Sequence, residues 1–307
     1  MRKLLYYLTR GLIWLLSLLP LGVLYVISDG LYLLVYRVVG YRRKVVRKNL
    51  TDSFPEKSEQ EIIKIEKDFY HWFCDYIVET IKLMTMSRKE MDRRCVFKNP
   101  EVLNRCVEEG QSCGIYLGHY CNWEWVSSMP RVVTKKAVCC QIYHALENKD
   151  FDELFKYIRG RFDAVSIPMA ETLRVIMKYQ QQGQPVIIGY ISDQVPFWNN
   201  IHYWSDFLNH DTPVLTGTEK ILRRLNHAVF YLDMSRPRRG YYVGEFKLIT
   251  REPKQMEEFA ITECYTRMLE KTIQQAPAYW LWTHNRWKRT REEWLRDHVD
   301  ENGRVRA

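Results

Sequence analysis

No two cysteines in this chain have the Cys-x-x-Cys spacing, and none stands at a zinc-site spacing from a histidine. The usual cysteine-built metal and redox sites therefore have no support. The phosphate-cradling Gly-x-x-x-x-Gly-Lys-Ser/Thr loop is missing, as is the Gly-x-Gly-x-x-Gly turn that lets a backbone approach a dinucleotide. There is no Gly-x-Ser-x-Gly elbow to expose a serine nucleophile and no His-Glu-x-x-His helix to hold a catalytic zinc. Serine-hydrolase, zinc-protease, P-loop and dinucleotide-dependent classes thus lose their main supports, and no metal or resident cofactor is expected. Internal repeats and low-complexity linkers are also absent, which favours one continuous body.

What is present narrows the class further. A chain of 307 residues with 46% hydrophobic content can bury a sizeable core and is not disordered, while 27% charged residues exclude a polytopic membrane protein. The eight cysteines are scattered, several in apolar surroundings, and read as reduced thiols in a reducing compartment. The formal net charge of +9 favours an anionic partner: nucleic acid, anionic lipid, a phosphorylated substrate or an acidic carrier protein. Basic residues interleaved with Tyr and Trp could serve nucleic acid, but the apolar N-terminus is poor company for that role.

Residues 11–28 contain no charge, and after Asp29 an apolar run resumes over residues 31–36. The run is just long enough to cross a bilayer core, which takes roughly 20 residues. Pro20 and Gly22 in its middle should kink it or split it into two helices. A cleaved signal peptide would need a small-x-small site and an end to the apolar character, and neither follows. A buried helix pair and a membrane anchor over residues 1–38, spanning or held in one leaflet, remain. Arg37, Arg42, Arg43, Lys44, Arg47 and Lys48 follow the run and only Arg2, Lys3 and Arg10 precede it. If the segment spans, the body faces the cytoplasm; if it lies in the interface, the same cations grip anionic head groups.

Residues 39–100 read as a helical lead-in, with an amphipathic helix over 58–84 carrying Ile62, Ile65, Phe69, Phe73, Tyr76, Ile77 and Ile81. Over residues 101–307, β-prone runs at 113–118, 136–143, 185–191 and 227–233 alternate with helical stretches near 122–129, 149–160, 169–182 and 214–225. A strand over 240–249 and a helix over 254–275 follow. The alternation predicts an α/β fold, a mainly parallel mixed sheet flanked by helices, behind an N-terminal hydrophobic anchoring helix segment.

Chemistry in such a sheet gathers where strands end and helices begin. Gly118-His119-Tyr120-Cys121-Asn122-Trp123-Glu124 falls at such a point if residues 113–117 form a strand and Asn122 caps the next helix. On one continuous helix His119 and Glu124 would not share a face, since five steps turn roughly 140°. With His119 in the loop and Glu124 in the first helical turn, the carboxylate can fold back onto the imidazole and orient it, leaving the other nitrogen to take a proton from a hydroxyl. The plain alternative is a satisfied loop histidine and an ordinary first-turn acid.

Gly-His-x-x-Asn-Trp-Glu at 118–124 closely resembles the signature of the bacterial lipid A biosynthesis late acyltransferases, the lauroyl/myristoyl family. Residues 41–50 (Tyr-Arg-Arg-Lys-Val-Val-Arg-Lys-Asn-Leu), Ser53-Phe54-Pro55-Glu56, Ile191-Ser192-Asp193-Gln194 and Tyr279-Trp280-Leu281-Trp282-Thr283-His284-Asn285-Arg286-Trp287-Lys288 resemble further blocks of that family, in the same order. The resemblance implies a glycerolipid-acyltransferase-like fold, with residues 39–307 as the acyltransferase domain. It also implies direct acyl transfer from an acyl thioester, on acyl carrier protein or CoA, to a hydroxyl of a lipid A precursor. The protein would work at the bacterial inner membrane, with its catalytic domain on the cytoplasmic side.

In that scheme His119 is the general base and Glu124 its partner. Asp193 and Gln194 bind a polar head group, or are a cap and a solvated amide. Arg159 and Arg161 hold a phosphate, or mark a charged helix end. Arg286 and Lys288 contact lipid phosphate, or pack and snorkel. Cys121 stands where the common pattern has glycine, and a cysteine enters glycine's backbone conformations only at a cost. It also raises a thiol nucleophile as an alternative to direct transfer. An aminolipid or another glycolipid as acceptor, and a non-catalytic membrane scaffold on the same fold, are the competing functions.

Overall fold

The computed structural model describes residues 2–145 and 147–300. Helix α1 (Arg2–Leu18) and helix α2 (Leu21–Tyr32) are separate elements. They break at Pro20, which has no N–H to continue α1 and whose carbonyl instead accepts from Val23 and Leu24. Helix α2 runs straight into a π-helical stretch, Leu33–Val39, which ends at Gly40 with φ +62°. Helix α3 (Arg43–Ser53) then leads to the 25-residue α4 (Glu59–Leu83), opened by a capping box between Ser58 and Glu61.

The interior face of α4 is not purely apolar. Phe69, Tyr70 and Trp72 are fully buried, but so are the carboxylates of Glu66, Asp75 and Glu79. Buried charges persist only when hydrogen-bonded, and each of these acids is. Helix α2 supplies Ser28 to Asp75 (2.7 Å) and Tyr25 to Glu79 (2.9 Å). The π-helical stretch supplies Tyr36 to Glu66 (2.9 Å).

After α5 (Arg88–Arg94), β1 (Cys95–Lys98) and α6 (Pro100–Glu108) comes the central strand β2 (Cys113–Leu117). Strand β3 (Val138–Tyr143), α7 (Lys149–Gly160), β4 (Val165–Pro168), α8 (Thr172–Gln181) and β5 (Val186–Ile191) follow. A hairpin of β6 (Trp204–Phe207) and β7 (His210–Pro213) precedes α9 (Gly217–Leu225). Strands β8 (Ala228–Arg238) and β9 (Tyr241–Thr250), then α10 (Ala260–Gln275) and α11 (Arg291–His298), complete the described chain.

The main sheet has seven strands in the order β1-β9-β8-β2-β5-β3-β4, and every neighbouring pair is parallel except β8–β9. All five residues of β2 are buried, as a central strand covered on both faces requires. The fold is the expected mainly parallel α/β sheet flanked by helices. Two local expectations need correction. Residues 122–129 form no α-helix: a 3-10 segment, Trp125–Arg131, replaces it and contains Pro130. Strands β1, β4, β6 and β7 were not anticipated, because four residues are too few for a periodic pattern to show.

Candidate active site

The connections after β2 and β5 leave in opposite directions, to β3 on one side and toward β8 on the other. In an open α/β sheet, sites gather outside the carboxyl ends of the strands. Strands β2 and β5 pair in parallel with Leu117 opposite Ile191, so residues two steps beyond each end lie side by side. Those residues are His119 and Asp193. Oδ1 of Asp193 accepts from His119 Nδ1 at 2.6 Å, and Oδ2 accepts from the His119 backbone N–H at 2.7 Å and from Trp280 Nε1 at 2.8 Å. The approach depends on Gly118: a Cβ there would lie 2.8 Å from Leu269 and 3.3 Å from the Asp193 carboxylate.

Burial works to raise the Asp193 carboxyl, but the adjacent imidazole and three hydrogen bonds outweigh it and hold it down at about 2. An ionised Asp193 assigns the Nδ1 proton of the neutral ring to this bond. Nε2 is then the free base atom, with the Gln194 side-chain nitrogen 3.4 Å away. The His119 side chain is 20% exposed, whereas that of Asp193 is 2% exposed.

Four of the five sequence blocks converge here. Residues 279–281 pair with the His119 loop through one isolated bridge: Tyr120 and Trp280 face each other antiparallel, Cys121 N donates to Tyr279 O (2.8 Å), and Leu281 N donates to His119 O (3.1 Å). From α3, Asn49 Nδ2 donates to the carbonyls of Trp282 and His284 at 2.9 and 3.0 Å. Arg42 reaches the Thr283 carbonyl at 3.0 Å.

Cys121 takes the left-handed conformation after all, at φ +53°. Such a residue costs about 1–2 kcal/mol, offset here by its backbone bond to Tyr279 and by burial. The thiol is fully buried and burial pushes its pKa up, so it is neither ionised nor reachable as a nucleophile.

The expected pairing of His119 with Glu124 is corrected by this geometry. Both Glu124 oxygens are taken by Arg159, Oε2 by Nε at 2.8 Å and Oε1 by Nη2 at 2.6 Å, while the imidazole is taken by Asp193. The physical reason is the turn at Cys121 and Asn122, which is not helical. Trp123 follows it, its ring edge-on to the imidazole at 5.1 Å, and Glu124 lies beyond. Arg159 is accordingly the partner of a buried carboxylate rather than an open phosphate site. Burial disfavours its charge, but the Glu124 bonds and charge outweigh this and raise its pKa.

Arg161 donates to the Met86 carbonyl at 3.0 Å. Arg286 is 2% exposed, so it is not placed to meet a head group at the surface; it donates to the Pro213 carbonyl at 2.8 Å, and burial lowers its pKa to about 10. Lys288 is exposed. Gln194 lies beside His119, and Asp193 serves the imidazole instead of facing a ligand.

Two further contributors complete the site: Asn122, expected as a cap, and Glu79, which the sequence did not single out. Asn122 is fully buried, its Oδ1 accepting from Trp125 N (3.1 Å) and its Nδ2 donating to Glu79 (2.8 Å). Glu79 also accepts from Tyr242 OH at 2.7 Å and Tyr25 OH at 2.9 Å, and its carbonyl takes the Trp125 indole N–H at 3.1 Å. The acids at 66, 75 and 79, set within an otherwise apolar helical pattern, were the signal that could have found this hub. Among the described residues no cluster of three or more His, Cys, Asp or Glu is placed to hold a metal ion.

An imidazole backed by a buried, ionised carboxylate at the carboxyl edge of a parallel sheet is the arrangement that a general base in an α/β enzyme requires. The chain belongs to the bacterial lipid A biosynthesis acyltransferase family, whose model matches residues 1–289. That membership indicates a lipid A acyltransferase. No curated protein matches the chain.

Proposed function

We propose that this protein transfers a fatty acyl chain from an acyl thioester to a hydroxyl of a lipid A precursor, at the cytoplasmic face of the bacterial inner membrane. The observation that carries the mechanism is the His119–Asp193 contact of 2.6 Å, which leaves Nε2 as the base atom. His119 Nε2 takes the acceptor's hydroxyl proton, and Asp193 stabilises the imidazolium. The alkoxide oxygen attacks the thioester carbonyl to give a tetrahedral oxyanion. Its collapse forms the ester and breaks the carbon–sulfur bond, and the departing thiolate receives the proton from His119. Glu124, paired with Arg159, acts on the loop rather than on the ring. No metal or bound cofactor enters this scheme; the thioester is a co-substrate.

Acyl carrier protein is the donor that charge favours, because it is acidic and this chain carries a net +9. Gln194 and Lys288 remain the head-group contacts. The test is an assay with purified protein, acyl carrier protein thioester or acyl-CoA, and a lipid A precursor. His119→Ala should remove turnover while the protein stays folded, and full residual activity would overturn the assignment. Lipid A from a strain lacking the gene should miss one acyl chain; intact lipid A would point to another acceptor.

A further inference from the structure

The continuous helix Leu21–Val39 is 19 residues long with a mean hydropathy of 1.5, and at 1.5 Å per residue it reaches roughly the 30 Å of a bilayer core. By length it could span. Its bonding says otherwise. Along one face Tyr25, Ser28 and Tyr36 donate to Glu79, Asp75 and Glu66 respectively, so the helix lies antiparallel along α4 from end to end.

Those acids belong to the body of the enzyme. Glu66 is also held by Arg43 and Arg47, and Asp75 by Arg236 and Arg239. Asp29, midway along the apolar run, pairs with Arg239 beside the β8–β9 turn. The turn itself is shaped for α2: Gly240 has φ +74°, and a Cβ there would collide with the Tyr25 hydroxyl. Lipid cannot surround this helix without also surrounding α4, whose outer positions include the exposed Glu61 and Lys64.

The opposite face is bare. Val26 is 71% exposed and Val38 76%, and Val23, Ile27 and Leu34 are also exposed. Leu8, Leu12 and Leu15 give α1 an apolar outer stripe at helical spacing. At the end of the stretch, Arg37, Arg42, Lys44 and Lys48 are exposed cations. An apolar face flanked by cations fits the interface of an anionic lipid surface.

We infer that α1, α2 and the Leu33–Val39 stretch form a one-leaflet membrane dock: α2 lies along the interface with Val26 and Val38 toward lipid, and does not cross the bilayer. The inference rests on the membrane reading above and makes it specific. The N-terminus, the Pro20 turn and the catalytic body are all on one side of the membrane.

The test uses full-length protein in sealed membrane vesicles of both orientations and a membrane-impermeant maleimide. Cys264→Ser removes the one native cysteine that is not buried. Single cysteines are placed at Arg10→Cys, at Gly22→Cys, where a Cβ meets nothing within 4 Å, and at Glu292→Cys on the body. The dock predicts that neither Arg10→Cys nor Gly22→Cys labels from the face opposite Glu292→Cys. Far-side labelling of Arg10→Cys would show a single span, and far-side labelling of Gly22→Cys a spanning hairpin; either overturns the inference and leaves membrane association standing. Recovery of wild-type protein in the soluble fraction would instead overturn the membrane reading, and the dock with it. As a second arm, Val26→Lys with Val38→Lys should weaken binding to anionic phospholipid vesicles at least tenfold at unchanged circular dichroism. Unchanged binding would overturn the assigned face.

Discussion

The imidazole of His119 and the carboxylate of Asp193 are 74 residues apart in the chain and 2.6 Å apart in space. They meet because β2 and β5 are adjacent, parallel and in a register that brings both strand ends level. The pair makes the orientation of the imidazole a property of the sheet.

Asp193→Asn should therefore lower kcat by about a hundred- to ten-thousandfold, the range typical of disabling a general base, with little change in KM. Asp193 takes its own proton only near pH 2, so in the wild type it is charged across any assay range. Steady-state kinetics of the wild type and the variant check this.

The Glu124–Arg159 pair should show up as coupling. Removing one member of a buried pair strands the other, and with the Arg159 side chain 24% exposed the cost of Glu124→Leu should be about 2–3 kcal/mol. Glu124→Leu with Arg159→Leu should cost less than the sum of the single changes. Urea unfolding in a double-mutant cycle measures this.

Glu79 should act on catalysis without touching substrate. Glu79→Ala strands the Tyr25 and Tyr242 hydroxyls and the Asn122 amide, each at about 1–3 kcal/mol when buried and unpaired. It should lower both stability and kcat by releasing the turn between His119 and Glu124. Glu79→Gln should recover much of both, since its carbonyl can accept from Asn122 and Tyr242 while its amide donates to the Tyr25 oxygen. Thermal unfolding and kcat of the two variants provide the comparison.

Acid should destabilise the fold through its buried histidines. Burial holds His227 and His284 down at about 4, so between pH 6.5 and 4 the unfolded chain binds the protons first. Their contribution is complete above pH 6.5 and is lost as pH falls toward 4. For His227, which is 2% exposed with no partner for Nδ1 among the described residues, the loss should reach about 2 kcal/mol by pH 5. Urea midpoints at pH 7.5 and 5 measure the slope, and His227→Gln should flatten it.

Local pattern was enough for much of this molecule. Alternating β-prone and helical runs announce a parallel α/β sheet because each period is set by residues within a few positions of one another. His119 was legible as a site residue because it directly follows the β-prone run at 113–118, and Pro20 as a break because it lacks an N–H. The choice between Glu124 and Asp193 was not legible. Nearness in sequence favours Glu124, but β2–β5 pairing and the left-handed turn at Cys121 override it. The same limit applies to α2: its composition is that of a membrane-crossing helix, and only the partners of Tyr25, Ser28 and Tyr36 show that one face belongs to the protein. Periodicity records which residues seek an apolar neighbour, whereas strand register and helix docking decide which neighbour each one meets.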